Sequence, residues 1–331
     1  MKLGDKSFSD PAGAVKALSA RLGDLRDIIA QDGTEGSANP QAAMKAPQEF
    51  KSRDGGAAVK MHAAWSLYKS RLATSSITSA VSSNREEIKS VTLDGSLIIC
   101  DAGYPSIRLF EKLSDHGAMM LFKMKSSLKP SVQSCTPFAD GRYGKIMYFG
   151  GERVSLKDDP RLGGQRSYDC VVTYETKGSE RLVLRVVKLF NPLFCGLSSS
   201  RVLEGHEELA PLEGYCYLIT NLPATQLDAD QLYALYRLRW NAERQFMALK
   251  SCCGFNAGKA VRGETVRNLL RLGTSAHALK SAVAGAFSYM LGGKALSLLK
   301  VAAGSGYLVN AMINPRARRA LRNCTDARSG L

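Results

Sequence analysis

The chain has 331 residues, 45% of them apolar, and carries 45 Lys and Arg against 30 Asp and Glu, a formal charge of +15 with a pI near 9.5. That length admits one large domain with an insertion, or two domains. The charge favours a polyanionic partner over an acidic small molecule, with nucleic acid as the default. Eight scattered cysteines and the lack of a signal-peptide pattern argue against a secreted disulfide framework and fit a reducing cytosol. Cys252 and Cys253 are adjacent, without the two-residue spacer of zinc or redox pairs, and His62, His116, His206 and His277 make no ligand pattern with them. The most apolar run, Ser281 to Gly293, is too short to span a bilayer and reads as helix core.

Residues 11–26 have apolar positions at three-to-four spacing and predict a helix. A short apolar strand from Asp27 to Gln31 runs into Asp32-Gly-Thr, which reads as a turn, and the Gly, Pro, Ser and Ala of 33–56 read as a loop. Strands are predicted at 57–66 and 71–80. Ser96-Leu-Ile-Ile-Cys100 is a continuous apolar run ending at Asp101-Ala-Gly-Tyr-Pro, the pattern of a strand buried on both faces. A helix at 106–115 and a strand at 116–125 follow. From 126 to 215 turn residues separate β-rich pieces (145–149, 168–175, 181–188), the last two joined by a hairpin loop at 176–180. A strand at 215–220, a turn at Asn221-Leu-Pro, and a helix capped by Asp228 or Asp230 come next. Helical segments at 263–300 and an arginine cluster (Arg316, Arg318, Arg319, Arg322) complete the chain.

The segment Tyr236 to Lys250 is the most informative. At about 100° per residue of one continuous helix, Tyr236, Arg239, Glu243 and Lys250 share an arc of about 60° beside an apolar stripe. Two carboxylates elsewhere suit the same chemistry. Asp32 follows a strand, and Asp101 ends a buried one, where an unpartnered carboxylate is costly. Phosphodiester chemistry with two ions about 4 Å apart needs converging carboxylates, and magnesium takes hard oxygen ligands. His62 reads as a structural histidine more than a cleft residue, and Trp65 and Trp240 read as core. Asp54-Gly-Gly reads as a turn, and neither a Walker nor a dinucleotide fingerprint is present.

The order Asp32-Gly-Thr, Asp101-x-Gly-Tyr, and then Tyr236-x2-Arg239-x3-Glu243-x6-Lys250 resembles the DDE transposases of bacterial insertion sequences, IS-four type, over about residues 27–255. The resemblance implies an α/β, RNase H-like (ribonuclease H-like) mixed sheet flanked by helices, with a β-rich insertion before the last catalytic helix. The core would then occupy 1–125 and 216–331, with the insertion at 126–215. It implies Asp32, Asp101 and Glu243 as catalytic metal ligands for two Mg²⁺, with Mn²⁺ able to substitute. Tyr236, Arg239 and Lys250 become contacts to double-stranded DNA, both transposon terminal inverted repeats and target. A homodimer in the synaptic complex and a cytoplasmic, nucleoid-associated location also follow from the resemblance, with no membrane partner. Such transposases usually carry a helical end-recognition domain before the first Asp, whereas 31 residues precede Asp32 here. A truncated, DNA-binding remnant without productive transposition is therefore the alternative expectation.

Overall fold

A computed structural model describes residues 11–290 except 24, 46–47, 53–55, 70, 83–87, 89–93, 125–128, 140–141, 157, 164, 177–180, 191–214 and 253–261. The arginine cluster near the C-terminus and the Asp54-Gly-Gly turn lie outside the described residues. So does most of the hairpin loop at 176–180. The chain divides into two compact units, one of Met1–Asp32, Ala64–Lys69 and Ser83–Trp240, the other of Gly33–Ala63, Ser70–Ser82 and Asn241–Leu331. The mixed α/β sheet flanked by helices expected from the sequence is what the structure shows.

In the first unit, helix α1 (Pro11–Leu22) ends where Gly23 adopts φ +80° and its N–H bonds the Ser19 carbonyl, a left-handed helix stop that other residues take only with strain. Strand β1 (Asp27–Ser37) begins here, and β4 (Ser96–Cys100) pairs parallel to it; β5 (Met119–Lys123) pairs parallel to β4. Between β4 and β5 lies helix α3 (Ile107–Asp115), whose Ser106 side chain accepts from the Leu109 N–H. It buries Leu109, Phe110 and Leu113, the one-turn spacing of an apolar stripe. Beyond β5 the pairing turns antiparallel, through β11 (Tyr215–Thr220), β10 (Arg181–Phe190), β9 (Tyr168–Glu175) and β6 (Ser131–Ala139). The order is β1-β4-β5-β11-β10-β9-β6-β7, with β7 (Arg142–Tyr143) and β8 (Met147–Arg153) both on β6, and a short helix α4 (Pro160–Gly163) follows β8 in the chain. The register of β6 shifts between Val132 and Ser134, and Gly151 of β8, at φ +87°, lies opposite: a Cβ there would stand 3.2 Å from Gln133 Nε2. Glycine is what this bulge requires.

The core of this unit is continuous from Ile29 and Ile98 through Tyr104, Phe110 and Phe122 to Val132, Tyr168, Val172 and Ile219. Phe110 and Phe122 stack at 5.9 Å between ring centroids, with Tyr174 at 6.3 Å from Phe110. Cys135 and Cys170 sit opposite each other on β6 and β9 and form a disulfide, a pairing the sequence reading did not name. Their separation of 35 residues hid the pairing, because only the strand register makes them neighbours.

The second unit contains the far part of β1, β2 (Ala58–Ser66) as far as Ala63, and β3 (Arg71–Ser79), in the order β3-β2-β1. Two expectations fail here. Asp32-Gly-Thr is no turn, since β1 runs through it to Ser37, and part of the supposed loop is helix α2 (Pro40–Lys45). Alternating burial along Thr34 to Ser37 lets the small residues continue the strand. The unit also holds helix α6 (Trp240–Cys252), apart from its first residue, and α7 (Gly263–Met290). His62 is buried with Nε2 2.8 Å from Thr78 Oγ1, the structural role expected of it. His277 on α7 lies with Nε2 2.9 Å from Gln245 Oε1 on α6, and Ser281 Oγ donates to the same oxygen at 3.3 Å.

Two outcomes test this packing. Phe110→Ala should destabilise the chain by about 3–5 kcal/mol in denaturant titration, the range for a buried aromatic truncated in a close-packed core. Burial, with help from Lys280, pushes His277 down to about 4. An unfolded histidine titrates near 6.5, so between roughly pH 6.5 and 4 the unfolded chain takes up a proton that the folded chain refuses. Stability should fall with pH through that window, and His277→Gln should flatten that part of the stability profile.

Candidate active site

The parallel register of β1 on β4 has a constant offset of 69, from Asp27↔Ser96 to Ala30↔Ile99. Carried two residues further, the same offset sets Asp32 level with Asp101. The apolar run of β4 is buried at all five positions, and the chain becomes partly exposed only at Asp101. There the Asp101 Oδ1 accepts from the Gly103 N–H at 2.8 Å, closing the turn that leads to the Ser106 cap of α3. Tyr104 fills the space beneath this turn and is fully buried.

Helix α5 (Ala229–Arg237) supplies the opposing charge. It starts with a complete capping box: Asp228 accepts from the Gln231 N–H, and the Gln231 side chain accepts from the Asp228 N–H. This settles Asp228, not Asp230, as the cap. At its far end the expected continuous helix breaks. Leu238 and Arg239 bond back to Leu235 and Tyr236, one residue short of the α-helical step, before α6 restarts at Trp240.

Arg239 donates from Nη1 to Asp32 Oδ2 at 3.3 Å, with both side chains only 13% exposed. Its guanidinium carbon lies 5.7 Å from the centre of the Tyr236 ring. Tyr236 is buried, and that burial pushes its hydroxyl well up, opposed by the neighbouring Arg239. Cys100 and Tyr104 report the field of the carboxylates. Burial raises both strongly, the negative charges of Asp32 and Asp101 raise them further, and Arg239 offsets part of the effect at Cys100. Both groups stay protonated. Asp32, Asp101, Arg239 and Tyr236 are thus brought together within the first unit.

Glu243 and Lys250 belong to the second unit. Glu243 is half-buried in the first turn of α6, where a carboxylate suits the helix dipole, and Lys250 is exposed in its last turn. Among the described residues, no group of three or more His, Cys, Asp or Glu is gathered closely enough to hold a metal ion. Trp240 is 60% exposed, against the expectation of core packing, because it restarts the helix at the break. Trp65 is buried as expected. Sequence reasoning gave Cys100 and Tyr104 no role in the site. The signals were the place of Cys100 at the end of the buried run 96–100 and that of Tyr104 in the Asp101-x-Gly-Tyr motif.

The Transposase DDE domain family matches residues 24–279. The chain belongs to this family. No curated protein matches it. Among solved structures, the piggyBac transposase in a cryo-EM synaptic complex with hairpin DNA is similar to this DDE domain at 11% identity, with a TM-score of 0.48. The match covers 89% of this chain and 54% of that one, so the chain spans little more than half the length of that transposase. No helix among the described residues of this family member is long and apolar enough to cross a membrane.

The state of Cys100 gives a direct test of this surrounding. At pH 8 Cys100 should resist an alkylating reagent in the folded protein and react at the ordinary rate in denaturant, read by peptide mass mapping. Rapid labelling of native Cys100 would mean that the floor of the site is open.

Proposed function

We propose that this chain is the catalytic core of a DDE transposase of the IS-four type. In this reading it cuts DNA at transposon ends and joins the freed 3′-OH to target DNA. The observation that carries it is the register of β1 on β4, which sets Asp32 level with Asp101, with Arg239 closing on Asp32. In this reading the β-rich strands β6 to β10 form the insertion between Asp101 and the helix that bears Glu243.

The donors fit a hard divalent cation. Asp32 and Asp101 offer carboxylate oxygens from neighbouring strands, and the groups beneath them, Cys100 and Tyr104, stay protonated and do not compete as anionic ligands. Asp32, Asp101 and Glu243 would hold the ions, with Mg²⁺ expected. Bound ions would stabilise the charge that develops on the attacking and leaving oxygens. Arg239 would exchange part of its bond to Asp32 for a DNA phosphate, for which its planar fork is suited. Tyr236 backs the guanidinium from one side and limits its swing. Lys250 would add a point charge for the DNA backbone. The basic excess of the chain supplies the unspecific attraction to the duplex, and it should weaken with salt. A homodimer bridging two ends completes the proposal.

The test is cleavage of a labelled duplex carrying the terminal repeat that flanks the gene, with Mg²⁺ and then with Ca²⁺. Cleavage is expected with Mg²⁺ alone. Glu243→Gln and Asp32→Asn should each lower the rate by at least about 10²-fold, while the dissociation constant for DNA stays within about twofold, since a ligand carboxylate acts on the transition state. Retained cleavage in either variant would falsify the assignment of that residue. Binding without cleavage by the parent chain would leave a DNA-binding remnant as the function.

A further inference from the structure

Outside the carboxylates, the most heavily constrained polar group of the first unit is Arg185, in the middle of β10. It is buried in the run Leu184 to Leu189, where an isolated charge would be very costly. Its Nε and Nη2 donate to the two oxygens of Asp169 on β9, at 2.8 and 2.6 Å, a two-pronged pair with both residues buried. The third nitrogen, Nη1, points elsewhere. It donates to the Leu227 carbonyl at 2.6 Å and reaches the Leu222 carbonyl at 3.5 Å. Those carbonyls bracket the loop that ends at Asp228, the cap of α5.

The same helix start is gripped elsewhere too. The Tyr143 hydroxyl on β7 feels the Ala229 backbone, and the Asp169 and Arg185 charges act on it. Arg21 on α1 donates to the Gln231 side chain at 2.8 Å. Of these contacts, the Arg185 fork alone links the β9–β10 hairpin to the loop through fully buried bonds. An apolar side chain could fill the volume, yet it could not fix two carbonyl oxygens in direction.

We propose that Arg185, held by Asp169, is a positioning residue for Arg239. It fixes the start of α5 against β9 and β10, and the rigid helix carries that constraint over its nine residues to the break where Arg239 meets Asp32. The strands between Asp101 and Glu243 would then set the geometry of the site from behind, besides any contact they make with DNA. This inference rests on the reading of Arg239 as part of the active site.

The experiment compares the parent with the paired substitution Arg185→Met and Asp169→Leu, and with Arg185→Lys alone. Replacing a buried ion pair by apolar residues of similar size commonly preserves stability, so the paired variant separates a local link from the fold as a whole. Lysine keeps a cation for Asp169 but cannot reach both Asp169 and Leu227. In both variants the amides of Ala229–Arg237 should exchange at least about tenfold faster, with β4 and β5 unchanged, since local opening is read apart from global unfolding. On the terminal-repeat duplex with Mg²⁺, kcat should fall at least about tenfold with KM within about twofold, as befits lost alignment. Parent-like exchange in α5 overturns the proposal whether or not the chain cleaves DNA. Faster exchange with an undiminished kcat overturns it as well. Failure of the broader reading shows separately, as a parent chain that binds the duplex without cutting it.

Discussion

The parallel pairing of β1 with β4 is the constraint on which the rest depends. Ser96 to Cys100 is buried on both faces, so its register cannot slip by one residue without turning the apolar set toward the wrong neighbours. Once that register is fixed, Asp32 and Asp101 have no freedom along the strands. Two like charges at the same level on adjacent strands repel, and a fold tolerates this only where something positive answers them. Arg239 provides that answer, and Asp101 spends one oxygen on the turn that follows it.

Arg239 lies at a step in the helical course, between the end of α5 at Arg237 and the start of α6 at Trp240. An unbroken helix from Ala229 to Cys252 would carry the phase of α5 straight into α6. At this step Leu238 and Arg239 make the tighter bonds, Arg239 meets Asp32, and Trp240 is exposed. Local regularity is given up at the point where a charge must be placed. Such a break beside a cluster of titratable groups is where sequence rules for regular structure are expected to fail.

Much of the framework was legible because its signals are local. The run 96–100, the amphipathic stretch of α3, the strands at 57–66 and 71–80, and the cap at Asp228 each follow from a few neighbouring residues. What escaped depends on distant partners. Asp32 looked like a turn residue because Gly33 follows it, but β1 lies between β2 and β4 and runs on to Ser37, past the end of its ladder with β4. The Cys135–Cys170 bond needs the β6–β9 register, which no spacing of cysteines reveals. The Arg239–Asp32 pair joins residues 207 apart in the sequence. Of the candidate site, Asp32, Asp101 and Arg239 were named from their pattern and lie together in the first unit, whereas the buried thiol and phenol beside them are ordinary core residues until the carboxylates are set near them.

Arg185 shows the same logic from the other side. Removing one partner of a buried ion pair typically costs about 3–5 kcal/mol, yet replacing both is often neutral, so stability alone does not account for such a pair. What the charge adds here is direction: a planar fork with fixed donor angles, satisfied on Asp169 and on the carbonyls before α5. The planar guanidinium holds its donors in a fixed fork, so its bonds constrain direction as well as distance. A helix whose last residues must present a guanidinium to a carboxylate needs its rotation fixed, and a hydrogen-bonded charge at its start is the kind of contact that fixes it.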